Sequence, residues 1–96
     1  MYKRQVEKVQ KHIFISGRVQ GVGFRAFIRR EAAVLNIKGW AKNLVDGRVE
    51  TIIQGDKKKV SQMIAKLREG PSYAKVENLN INDEKPTDFS DFKIKF

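Results

Sequence analysis

The sequence predicts an α+β protein with a ferredoxin-like fold, an α/β sandwich in which two helices cover one face of an antiparallel sheet. Two segments have apolar side chains at the spacing of amphipathic helices, and the segments around them have the continuous or alternating apolar patterns of strands. Their order is βαββαβ, followed by a short C-terminal strand. Two apolar helix stripes need a common surface to bury them, and in this order that surface is one face of the sheet.

Residues 11–36 are predicted to form the first strand and the first helix. The strand spans 11–18 and contains three consecutive bulky apolar residues. From Phe24 to Leu35, apolar side chains recur at helical spacing with charged residues between them, as on one face of a helix. Asn36 is expected to end this helix.

The next segment is predicted to form a β-hairpin. Its strands span 37–42 and 48–54, and the second strand has apolar residues at alternate positions. The turn between them spans 43–47 and contains Asp46-Gly47, a dipeptide typical of tight hairpin turns.

The remaining segments are predicted to form a helix and two strands. Asp56 is a suitable N-terminal cap for the second helix, and Gly70-Pro71 ends it. A strand with alternating apolar residues follows over 73–82. A polar loop then leads to a short alternating strand over 92–96.

The composition excludes several classes of function. The chain has 96 residues, enough for one domain, and no cysteine, which excludes disulfides and thiol chemistry. One histidine and no thiolate argue against a zinc site. No apolar run approaches the ~20 residues that span a bilayer. The basic N-terminus lacks the apolar segment of a secretory signal, so we expect a cytoplasmic protein without a membrane partner.

We expect residues 1–10 to form a flexible polar arm and residues 11–96 to form a single domain. The net charge is +9, from 20 Lys and Arg against 11 Asp and Glu. Such a charge attracts anions, whether a nucleic acid, an anionic membrane or a small phosphate compound. Charge alone does not choose among these partners.

The loop after the first strand has the composition of an anion site. It contains Gly17, Gly21 and Gly23, and Arg25 lies in the first turn of the helix that follows. Glycines let backbone N–H groups converge, and a helix start adds free N–H donors with a partial positive charge. A cation is normally disfavoured there. Arg25 therefore indicates that an anion such as phosphate binds between it and the loop.

This loop follows neither of two common phosphate-binding patterns. Phe24-Arg25 stands where a Walker A loop has Lys followed by Ser or Thr, and the glycine spacing is not G-x-G-x-x-G. For the glycines alone, a tight strand-to-helix turn without a ligand is therefore the alternative interpretation.

Two blocks of sequence together resemble the acylphosphatase family. Residues 17–25, Gly-Arg-Val-Gln-Gly-Val-Gly-Phe-Arg, match the family's G-x-V-Q-G-V-x-F-R loop at every fixed position. Residues 39–55 match its second pattern, which begins G-aromatic-small-basic-N, with Asn43 as the fixed asparagine. The resemblance covers the chain from near His12 to its end and leaves residues 1–10 outside.

The resemblance implies the same sandwich, with the last strand in the sheet. It also implies hydrolysis of acyl phosphates to a carboxylate and orthophosphate, without a metal, a cofactor or a covalent intermediate. Arg25 would hold the phosphate and Asn43 would hold the attacking water in line. The loop would contribute the backbone N–H groups of Arg18, Val19, Gln20, Gly21, Val22 and Gly23. We further expect orthophosphate to be a weak competitive inhibitor, and the enzyme to be a monomer that binds no nucleic acid.

The chemistry of the two side chains fits this reaction. Arginine stays charged and presents a planar fork of donors to phosphate. An asparagine amide can orient a water, although it cannot act as a base. Such a pair suits phosphoryl transfer from a good leaving group, which depends mainly on positioning and charge stabilisation. In the predicted topology, the loop and the end of the second strand can meet at one edge of the sheet.

Other residues are assigned structural roles. We expect Gln20 to shape the loop, Trp40 and the phenylalanines to lie in the core, and His12 to take no part in catalysis. Leu44 stands where several family members have a hydroxyl residue, and Lys95-Phe96 stands where some end in Arg-Tyr. Support for the asparagine and contacts of the C-terminus with the loop are therefore expected to differ.

Three other interpretations fit part of the sequence. RNA-recognition modules share a basic ferredoxin-like sheet, and residues 13–17 loosely resemble their first-strand motif, but the third strand here lacks the aromatic residues on which bases stack. A non-catalytic anion sensor, or an acylphosphatase-like domain of a larger carbamoyl-transferring protein, would have the same loop. The acyl group of the substrate has no readable determinants.

Overall fold

The structure, a computed structural model that describes residues 7–96, contains every helix and strand predicted from the sequence. In chain order these are β1 (Lys8–Arg18), α1 (Phe24–Leu35), β2 (Lys38–Asn43), β3 (Val49–Asp56), α2 (Lys57–Glu69), β4 (Lys75–Glu84) and β5 (Phe92–Lys95). Both helices pack on one face of the five-stranded sheet. The predicted ferredoxin-like α/β sandwich is therefore confirmed.

The helices end where their boundary residues predict. Asn36 follows α1 with a φ of 56°, and its N–H donates to the carbonyl of Ala32. The Asp56 carboxylate accepts the Lys58 N–H at 2.9 Å at the start of α2, and Gly70 follows the last turn. Each of these residues satisfies a backbone group that a helix end leaves free. Neither helix of this described range is long and apolar enough to cross a membrane.

The core lies between the helices and one face of the sheet. The helices contribute an apolar stripe each, made of Phe24, Ile28, Ala32, Leu35, Val60, Met63 and Leu67. The sheet contributes alternate residues of its central strands, Ile13 and Ile15 from β1 and Val49 and Ile53 from β3. Burying one such side chain stabilises a fold by roughly 1.5–3 kcal/mol. This layer therefore holds both helices on the sheet.

The strands β1 to β4 pair antiparallel as predicted, and the C-terminal strand, whose direction was not predicted, makes the sheet mixed. The strand order is β4-β1-β3-β2-β5, and β5 at the edge runs parallel to β2. The loop 85–91 causes this arrangement, because it crosses the face of the sheet opposite the helices. Thr87 contacts both β1 and β3 there, and the Asp91 carbonyl accepts the Gly39 N–H at 3.0 Å. The chain thus reaches the far edge before it turns into β5.

Strand β1 begins three residues earlier than predicted. Residues 8–10 pair with the end of β3, so they belong to the sheet and not to a flexible arm. Gln10 is only 3% exposed, and its amide oxygen accepts from the Gln54 amide at 2.8 Å and from the Thr87 N–H at 2.9 Å. The prediction located strands by their apolar residues, so it missed this part of β1, where the buried side chain is polar. Residues 1–6 of the predicted arm lie outside the described residues.

The prediction that Trp40 and the phenylalanines lie in the core is wrong for four of these side chains, Phe14, Trp40, Phe89 and Phe96, which do not belong to the core cluster. Phe14 and Trp40 are on the face opposite the helices, because side chains alternate along a strand. Both are half-buried under cations. The guanidinium carbon of Arg48 lies 4.7 Å from the centroid of the Phe14 ring. The ammonium of Lys95 lies 4.4 Å from the centroid of the Trp40 ring. Phe96 is 98% exposed.

We expect Gly39→Ala to destabilise the fold severely. Gly39 has a φ of 137°, and a Cβ there would overlap the carbonyl oxygen of Ile52 in β3. Gly47→Ala is the matched control, because Gly47 has a φ of 96° but a Cβ would meet nothing within 4 Å. Urea unfolding should show a loss of about 1 kcal/mol for the control, from backbone strain alone. For Gly39→Ala the loss should reach at least about 3 kcal/mol. Equal losses would contradict the close approach of β2 and β3.

Candidate active site

A cavity of about 200 Å³ opens at the end of the sheet where β1 ends, α1 begins and β2 ends. It is lined by Val19, Gly21, Gly23, Phe24, Arg25, Ala26, Asn43, Ile94 and Phe96. The two predicted catalytic residues, Arg25 and Asn43, thus line the same cavity from different elements. They meet there because β1 and β2 both pair antiparallel with β3. The two strands therefore run in the same direction and end at the same end of the sheet.

The start of α1 presents bare backbone N–H groups to this cavity. Gly23 is the N-terminal cap residue and offers no side-chain acceptor, and the first turn contains no acidic residue. The Phe27 N–H donates to the Gly23 carbonyl at 3.0 Å, which begins the helical hydrogen bonding. The N–H groups of Phe24, Arg25 and Ala26 precede it and have no helical acceptor. Such a helix start is a favourable place for an anion.

The loop before α1 turns its backbone at two left-handed glycines. Gly21 has a φ of 74° and Gly23 a φ of 75°, with Val22 at negative φ between them. This alternation directs successive N–H groups toward one side, as in the backbone nests that bind anions. A Cβ at either glycine would meet no atom within 4 Å. The requirement for glycine is therefore conformational rather than steric.

Not every predicted loop residue lines the cavity. Three of them do, namely Val19, Gly21 and Gly23. Arg18 is the last residue of β1, opposite Lys75, and is exposed. Val22 packs against the core. The side chain of Gln20 turns toward the β2–β3 turn.

Gln20 connects the glycine loop to the strand end that carries Asn43. Its side-chain amide donates to the Leu44 carbonyl at 2.7 Å and to the Arg48 carbonyl at 2.9 Å. These two residues flank the turn, and the Leu44 N–H donates to the Arg48 carbonyl at 2.8 Å. One side chain thus fixes the loop relative to the end of β2. Leu44, which has no side-chain hydroxyl, takes part through its backbone.

Among residues 7–96, Arg25 is a cation without an acidic partner. Its Nη1 donates to the Lys95 carbonyl at 3.2 Å, and its guanidinium carbon lies 4.9 Å from the centroid of the Phe96 ring. None of the ion pairs between residues 7 and 96 includes it. The C-terminal strand therefore orients the guanidinium and leaves its charge available to an anion.

Asn43 is the last residue of β2 and pairs with Val49. It faces the helices, as do the buried Gly39 and Ala41 at alternate positions before it. The side-chain hydrogen bonds of Gln20 nearby do not involve it. From this face Asn43 lines the cavity.

The cavity contains no side chain that could act as a base. None of its lining residues is a histidine or an acid. His12 lies on the opposite face of the sheet, where its Nε2 is 2.7 Å from Glu50 Oε2 and its Nδ1 is 3.1 Å from Glu84 Oε2. Within the part of the chain that the structure describes, no three His, Cys, Asp or Glu side chains are grouped as a metal site requires. The polar groups of the cavity are an arginine, an amide and backbone N–H groups.

Four lining residues were not among the predicted site residues, namely Phe24, Ala26, Ile94 and Phe96. Ala26 contributes the third free N–H of α1, and counting along the first turn from Gly23 would have found it. Ile94 lines the cavity because β5 lies beside β2. No local pattern of the sequence indicates that placement.

A ferredoxin-like sandwich with a glycine loop, a bare helix start and an arginine at one sheet edge defines a small anion-binding α+β domain. The Acylphosphatase family model matches residues 11–94. The acylphosphatase of Roseiflexus sp. is 45% identical over 82 residues, which cover 85% of this chain and 88% of that protein. The chain belongs to the acylphosphatase family, and its reaction is the hydrolysis of acyl phosphates.

Solved structures agree with this assignment. An acylphosphatase from Coxiella burnetii superposes with a TM-score of 0.89 at 38% identity, covering 92% of this chain and 93% of that one. Full-length HypF in its phosphate- and nucleotide-bound form matches with a TM-score of 0.88 at 26% identity, over 99% of this chain but 13% of that one. The family predicted from the two motifs is therefore confirmed, and the same fold also occurs within a much longer protein.

We expect Gln20→Leu to lower the free energy of unfolding by about 1–3 kcal/mol, since two carbonyls beside the turn lose their shared donor. Gln62→Leu makes the same change at an exposed position of α2. It should shift stability by less than about 0.5 kcal/mol. Urea unfolding measures both. A Gln20→Leu variant as stable as the control would mean that the bridge does not hold the turn.

Proposed function

We propose that the phosphate group of an acyl phosphate binds in the 200 Å³ cavity, against the start of α1. Backbone N–H groups from the loop 18–23, of which Val19, Gly21 and Gly23 line the cavity, and from residues 24–26 bind its non-bridging oxygens together with the Arg25 guanidinium. The observation that carries this proposal is an uncapped helix start beside an arginine that has no acidic partner among the described residues. Both place positive charge at one small cavity. Stabilising charge on the phosphoryl oxygens is the main demand of phosphoryl transfer.

In this proposal Asn43 positions the attacking water. Its amide binds the water in line with the bond between phosphorus and the acyl oxygen. The water oxygen bonds to phosphorus, the acyl oxygen leaves as a carboxylate, and orthophosphate forms. Because an amide is not a useful base, a phosphate oxygen of the substrate takes the proton of the water. The mechanism uses no metal, cofactor or covalent intermediate.

The proposal extends to the product and to the assembly. Orthophosphate has the same charged group as the substrate, so it competes weakly for the same cavity. We further propose that the enzyme acts as a monomer. We place the enzyme in the cytoplasm. We assign it no nucleic-acid partner, because β3 carries no aromatic residue on which a base could stack.

Arg25→Ala and Asn43→Ala should each lower kcat/KM for benzoyl phosphate by at least about 100-fold, the usual cost of removing a well-placed donor. Arg30→Ala and Asn78→Ala are matched controls, because both residues are exposed and neither lines the cavity. Their activity should stay within about twofold of the wild type. Hydrolysis is measured with excess chelator. A folded Arg25→Ala or Asn43→Ala variant with near-full activity would refute the role of that residue.

His12→Ala should keep kcat/KM within about twofold, because the imidazole lies on the face opposite the helices and outside the cavity. Its effect should fall on stability, since Glu50 and Glu84 lose the group that lies between them. Benzoyl phosphate hydrolysis and urea unfolding separate the two effects. A folded His12→Ala variant without activity would show that the mechanism needs a base.

A further inference from the structure

A second cavity, of about 370 Å³, lies at the end of the sheet opposite the candidate active site. It forms where β1 and β2 begin and where β3 ends. The length of β3, from Val49 to Asp56, separates the two ends by about 23 Å. No residue lines both cavities. Hydrolysis of acyl phosphates therefore assigns no role to the second one.

Three lysines from three different elements line this second cavity, Lys8 of β1, Lys38 of β2 and Lys59 of α2. We call it the lysine cavity. Nearby, Lys11 pairs with an aspartate and Lys57 with a glutamate. Within residues 7–96, none of the three cavity lysines has such a partner. Converging like charges of this kind attract an anion.

The cavity stays positively charged although one carboxylate, that of Asp56, is part of its lining. Asp56 accepts the Lys58 N–H at 2.9 Å and thereby caps α2. This bond occupies the carboxylate at the helix start, and three lysines outnumber it. The attraction for an anion thus comes from the lysine side chains and not from free N–H groups of α2.

An apolar wall lies beside the lysines. Leu35, from the end of α1, is 9% exposed, and Phe89 of the β4–β5 loop is half-buried. An inorganic ion would contact the lysines and leave this wall facing water. An organic anion would bury the wall and meet the charge in one site, which is the usual composition of small-molecule pockets.

We propose that the lysine cavity binds a small organic anion, a carboxylate on an aliphatic or aromatic body of roughly six to ten carbon atoms. The lysines hold the carboxylate, and the body lies against Leu35 and Phe89. Carboxylates released from acyl phosphates belong to this chemical class. The proposal depends only on the cavity, so it stands or falls separately from the roles assigned to Arg25 and Asn43.

Amide NMR of the whole chain, titrated with octanoate, tests this site. The amides of Asn36, Lys38 and Gly55 should shift and saturate with a Kd of about 1 mM or below. A double variant, Lys38→Gln with Lys59→Gln, should bind at least about fivefold more weakly. The control, Lys58→Gln with Lys66→Gln, removes the same charge outside the cavity and should stay within about twofold.

Several results would overturn the proposal. Shifts that fail to saturate, or that appear only at residues 19–26, would show that octanoate does not occupy the lysine cavity. Equal weakening in the two double variants would mean that only net charge matters. Inorganic phosphate that shifts the same amides with the affinity of octanoate would refute the organic body of the ligand.

Discussion

The candidate site depends on the start of α1, where no side chain caps the first backbone N–H groups. The missing cap makes the helix less stable. A side-chain cap is worth roughly 0.5–2 kcal/mol to a helix. The second helix has such a cap in Asp56, whereas α1 begins at Gly23 with none. The buried stripe of α1, from Phe24 to Leu35, offsets this loss by packing on the sheet. The core thus maintains a helix whose first N–H groups stay free for an anion.

The face of the sheet opposite the helices also influences the site, through the C-terminal strand. Thr87 holds the loop 85–91 over the sheet by hydrogen bonds with Gln10 of β1 and Gln54 of β3. This path delivers β5 to the edge beside β2. There the Lys95 carbonyl accepts from Arg25 at 3.2 Å. A buried polar cluster at the other end of the sheet therefore helps to orient the arginine in the cavity.

Features set by short local patterns were predictable from the sequence. Asn36 and Asp56 mark helix ends, and Arg25 lies in a local motif that predicts its place beside the glycine loop. Features set by tertiary placement were not. The strand β1 extends through the buried Gln10, whose polarity hides it from an apolar pattern. Trp40 is apolar but faces away from the helices, since one face of the sheet is open. The parallel pairing of β5 follows from the path of a loop without a sequence signal of its own.

Titration of the protein with inorganic phosphate, followed by amide NMR, tests most directly whether the start of α1 and Arg25 form the phosphate site. We expect saturable shifts concentrated at residues 19–26 and at the side-chain amide of Asn43, and we expect them to be lost in Arg25→Ala. Shifts spread over the exposed lysines, or no saturation up to about 50 mM phosphate, would contradict the assignment.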